Sequence, residues 1–69
     1  MRNPRIDPKP GDVVEMTPGW MRTVTAVENN LVRYNAINEF GVFNGSLKHI
    51  DAWRKETKKA KVIRKVPNA

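Results

Sequence analysis

The stretch "WMRTVTAVENNLVRYNAI", Trp20 to Ile37, decides the fold. Two runs rich in Val, Thr and aromatic residues flank a pair of asparagines, Asn29 and Asn30. Side chains branched at Cβ suit a pleated surface better than a helix. Asparagine tolerates the positive φ that both central residues of a type I′ turn require, so the stretch reads as a β-hairpin. Within its second strand, Val32, Tyr34 and Ala36 alternate with Leu31, Arg33 and Asn35. Burying the first set leaves Arg33 and Asn35 in water.

Working outward, "DVVEM" (12–16) reads as a preceding strand that stops at the turn "TPG" (17–19). On the other side "FGVFN" (40–44) reads as a further strand, with Gly41 marking a bulge or bend and "NG" (44–45) closing it. Ser46 is placed to cap a helix, since its hydroxyl can accept from an orphan first-turn amide. "SLKHIDAW" then sets Leu47, Ile50 and Trp53 at three-residue spacing along one helical face. Residues 60–66 either continue that helix or form a last strand with Ala60, Val62 and Val66 inward. The strand is preferred, because β-branched residues dominate and the sheet has an edge to close. Pro4, Pro8 and Pro10 make residues 1–11 an extended arm, and residues 67–69 a frayed end.

The expected architecture is therefore mainly β: residues 12–66 as one small barrel of about five short strands, with one short helix or 3-10 turn before the last strand. The order of Pro10–Asp12, Arg22–Val27, Val32–Tyr34, and Ser46–Leu47 with Trp53 resembles the SH3-like β-barrels. More closely, it resembles short uncharacterised phage and prophage proteins of the same layout. The resemblance implies a fold and no particular site, because such barrels serve many functions.

Composition narrows the chemistry. Sixty-nine residues make one domain with a small core. There is no cysteine, which excludes disulfides, thiolate metal sites and cysteine nucleophiles. No apolar run approaches the ~20 residues of a membrane span, and the N-terminus lacks a signal's apolar region, so a cytoplasmic protein without membrane contact is expected. His49, the single histidine, has no ligand partner, and the glycines at 11, 19, 41 and 45 form no phosphate loop. Ser46 has a capping role and the carboxylates are scattered. No enzyme, cofactor or metal centre is expected.

Charge points elsewhere. "WRKETKKAKVIRK" (53–65) carries seven cations, Arg54, Lys55, Lys58, Lys59, Lys61, Arg64 and Lys65, against one anion. The remaining chain balances six Lys/Arg with six Asp/Glu, so the formal excess of +6 sits in this stretch. Such clustering suits a nucleic-acid backbone, DNA or RNA, bound without sequence preference. Solvated lysines that blunt a sheet edge are the plainer alternative. Arg22, Arg33 and an exposed Trp20 are candidate additions, since aromatic rings stack bases. Tyr34, Phe43 and Trp53 are expected in the core. A protein-docking module, for example one binding a host protein through a strand edge and the Trp20–Phe40 region, is the alternative reading, and a homo-oligomer burying the same patch is a third.

Overall fold

A computed structural model describes residues 2–67. Five antiparallel strands, β1 (Val13–Thr17), β2 (Trp20–Glu28), β3 (Leu31–Asn38), β4 (Gly41–His49) and β5 (Lys61–Arg64), form one sheet in the order β4-β3-β2-β1-β5. Among the described residues a single helix, α1 (Ile50–Glu56), lies between β4 and β5 in the chain. The fold is mainly β, but the sheet is open and the expected closure into a barrel is not found. β5 has only four residues and pairs with β1, and α1 rather than a β4–β5 contact covers the sheet.

The central hairpin forms as its residues dictate. Asn29 and Asn30 take φ of 52° and 63°, and β2 and β3 pair from Glu28↔Leu31 to Met21↔Ile37. The register sorts side chains onto two faces. Val14, Val24, Val32 and Tyr34 share the face covered by α1, whereas Met21, Ile37, Val42 and Arg33 share the uncovered face. Trp53 is fully buried and its ring sits 5.3 Å from that of Tyr34, tilted by 56°. Ile50 and Ala60 complete the core; Ala60 is inward as expected, but it precedes β5 rather than opening the last strand, which spans Lys61–Arg64 and not 60–66.

Three expectations fail for one reason. Residues 44–45 do not close a strand, Ser46 does not cap the helix, and Leu47 does not lie on it. Instead β4 runs on to His49, because Asn44 and Gly45 together oppose Asn35 in a bulge. Gly45 supplies a φ of 78°, and its N–H donates to the Asn35 side-chain oxygen at 3.2 Å. Ser46 thereby pairs with Tyr34, and the N-cap falls to His49, whose Nδ1 accepts from the Asp51 N–H at 3.2 Å. Continued pairing with β3 outweighs one local cap.

The N-terminal residues depart from an extended arm. Residues 4–6 turn, with Asn3 O accepting from the N–H groups of Ile6 and Asp7, and Pro4 and Pro8 are fully buried. Trp53 Nε1 donates to Pro4 O at 3.0 Å, which fixes the segment against the helix. Asp12 clasps both chain ends: its carboxylate accepts from Arg2, from Lys9 N–H at 2.9 Å and from Val66 N–H at 2.8 Å. Burial opposes charge on Asp12, yet these donors outweigh it and hold its pKa below the usual aspartate value. Of the expected frayed end, residues 68 and 69 lie outside the described residues.

Candidate nucleic-acid interface

The cations of the C-terminal stretch divide between the last turn of α1, the turn at 57–59 and β5. Arg54 and Lys55 stand at the helix C-terminus, where positive charge complements the backbone dipole. Lys55, Lys58, Lys59, Lys61, Arg64 and Lys65 are all exposed, and among the described residues none forms an ion pair. Arg54 differs. Its Nε donates to Ile6 O at 2.8 Å, and its Nη1 lies 3.8 Å from Asp51.

The folded-back N-terminus adds a cation that the sequence reading missed. Arg5 Nη1 donates to Lys58 O at 2.9 Å, which places this guanidinium against the basic turn. Two shallow clefts meet at Arg5: one of about 460 Å³ includes Pro4, Val62 and Lys65, and one of about 180 Å³ includes Ile6, Arg54 and Lys58. No local signal marks Arg5 as part of this surface. Its position follows from the burial of Pro4 and Pro8, some fifty residues away in sequence from Lys58.

Arg22 and Arg33 do not join the stretch. Arg22 lies on the covered face, its guanidinium 4.7 Å from the Tyr34 ring centre and 5.9 Å from that of Trp53. Its Nη2 donates to Glu56 at 3.0 Å, and Lys48 reaches the other carboxylate oxygen at 2.8 Å. The hydrogen bond from Lys48, reinforced by Arg22 against partial burial, lowers the Glu56 pKa, and Glu56 in turn raises that of Lys48. Both cations thus share one carboxylate. Arg33 sits on the uncovered face between Ala26 and Leu47.

The aromatic residues split as well. Trp20 is 47% exposed, as expected for a residue beside a turn, but Phe43 is 51% exposed and not part of the core. Phe43 does share the covered face, opposite Ala36. α1 ends at Glu56, beside Arg22 and Lys48, and Phe43, in the same cross-strand row as Arg22 and Ala36, is left uncovered. Trp20, Phe43, Met16, Arg22 and Tyr34 line the resulting pocket of about 340 Å³. Phe40 stands apart in the β3–β4 turn, where Asn38 Oδ1 accepts its N–H, and is 77% exposed.

Comparison of the chain with protein-family models, curated proteins and solved structures returns no match. Among the described residues, no helix is long and apolar enough to cross a membrane.

Proposed function

We propose that this chain is a small SH3-like accessory protein of the phage or prophage type, acting in the cytoplasm without a catalytic role, that binds DNA or RNA through backbone charge. One observation carries the reading: six exposed cations without ion-pair partners among the described residues, Lys55, Lys58, Lys59, Lys61, Arg64 and Lys65, crowd the α1–β5 segment, while Arg22 and Lys48 are paired with Glu56. Cations recruited for internal structure are paired, as Arg2 is with Asp12. Unpaired ones are free to displace counterions from phosphate. α1 has seven residues and buries Ile50 and Trp53 against the sheet, so it offers no free helix for base readout and the binding has little sequence preference.

The test is fluorescence anisotropy with labelled single-stranded and duplex oligonucleotides across a salt series. Four to five phosphate contacts give a slope of log K against log salt of about −4 on duplex DNA. Replacing Lys58, Lys59 and Lys61 together by Gln lowers that slope by about two to three units while the thermal melt stays in place. An unchanged slope removes these lysines from the interface. With single strands, quenching of Trp20 emission marks base stacking in the aromatic pocket. A second reading, docking on a host protein, is favoured by the exposure of both Trp20 and Phe40, and absence of oligonucleotide binding at low salt selects it.

A further inference from the structure

β4 is a nine-residue edge strand whose outer side pairs with no other strand among the described residues. It has no proline, and Lys48, its single Lys/Arg/Asp/Glu residue, is drawn inward to Glu56. The usual guards of a free edge, a short span and outward charge, are therefore missing. A bulge at Asn44–Gly45 is the one guard present, and it leaves Gly41–Phe43 as a regular segment at the hairpin end. On the uncovered face this segment ends an apolar row, Met21–Ile37–Val42, in direct cross-strand register. Ile37 is 46% exposed and Val42 59%. On the other face Trp20 and Phe43 are 47% and 51% exposed, and Phe40 in the adjoining turn is 77% exposed.

We infer that two copies of this chain pair edge to edge through β4, antiparallel, about a two-fold axis at Val42. Four features fit this occupant. A two-fold at Val42 continues the apolar row without interruption into the second copy's Val42, Ile37 and Met21. It sets Gly41 opposite the second copy's Phe43, so a residue without a side chain meets a ring. Antiparallel pairing sends the two Lys48 residues in opposite directions. The strand order also places the unpaired cations of β5 at the far edge of each sheet. At ~4.8 Å per strand, the two basic edges of a ten-stranded sheet lie on the order of 40 Å apart along it. That is several times the ~8 Å over which salt screens charge, so the cations of β5 do not oppose the pairing appreciably. The contact is of modest size, which places the dimer at the weak end of specific interfaces. The inference stands on the edge geometry and not on the nucleic-acid reading.

The test is sedimentation equilibrium of the full chain, without nucleic acid, from micromolar to millimolar concentration. The expected result is a mass rising from monomer to dimer. Val42→Lys and Val42→Glu each yield a monomer with an unchanged far-UV spectrum, because the site is exposed and like charges then meet at the axis. An equimolar mixture of the two variants restores the dimer, since Lys then faces Glu. A wild-type chain monomeric throughout, including one that gains mass only on adding another protein, overturns the inference. So does a dimer insensitive to Val42→Lys, or one that the mixture fails to restore.

Discussion

β5 and β4 both end the sheet, and one cross-strand row on the uncovered face joins them: Lys61, Glu15, Met21, Ile37, Val42. At the β5 end the row is charged, the strand is four residues long, and Lys61, Arg64 and Lys65 surround it. The N-terminal segment lies beside it, tied through Arg2, Asp12 and Val66. At the β4 end the row is apolar, the strand is nine residues long, and among the described residues no strand pairs with its outer side. One edge is thus guarded and clasped, the other bare. The lesson is that Lys61, Arg64 and Lys65 stand at one sheet edge and also belong to the surface proposed to meet phosphate, so the two explanations of the basic stretch are compatible.

The contrast breaks most severely at Asp12. Asp12→Ala leaves Arg2 without its carboxylate and frees Val66, and costs about 3–5 kcal/mol in urea unfolding, enough to abolish folding in a domain this small. Acid acts on the same group more gradually. Because the folded-state pKa of Asp12 is lowered, its contribution is full above the ordinary aspartate value of about 3.9 and is lost as pH falls through the lower folded value. Glu56 shifts in the same direction. Thermal melts followed by circular dichroism therefore stay level near neutrality and drop below about pH 4.

A milder probe of the clasp is Gly11→Ala. Gly11 has a φ of 96°, and a Cβ there would stand 2.8 Å from Val66 Cγ1. Even if Val66 turns aside, the backbone conformation costs about 1–2 kcal/mol, measurable as a lower urea midpoint. At the bare edge the expectation reverses. Phe40→Ser, in a turn and 77% exposed, shifts stability by no more than about 0.5 kcal/mol. A loss as large as that of Gly11→Ala would mean that Phe40 packs in the monomer, and the contrast between the edges would narrow.

Much of the fold was legible because its signals are local. Asn29–Asn30 specify a turn by their own tolerance of positive φ, and the alternation of Val32, Tyr34 and Ala36 selects the buried face of β3. Trp20 is exposed, as its place beside a Pro-Gly turn implies. The proposed interface was legible in composition but not in membership. Arg22 reads as a free cation until Glu56 and the rings of Tyr34 and Trp53 are set around it. Arg5 reads as part of a loose arm until Lys58 lies beside it.

By itself, then, the sequence determined the hairpin, the strand-rich character, the burial of Tyr34 and Trp53, and the concentration of charge in residues 54–65. Each depends on residues close in the chain or on counting them. Tertiary structure alone decided that the sheet stays open, that β4 continues past Gly45, that Phe43 is left in water, and that the N-terminus returns to the helix. Each of these turns on a partner far away in sequence: Asn35 for the bulge, the end of α1 for Phe43, Trp53 for Pro4. Contacts of that kind depend on how strands and helix pack, and no window of neighbouring residues contains them.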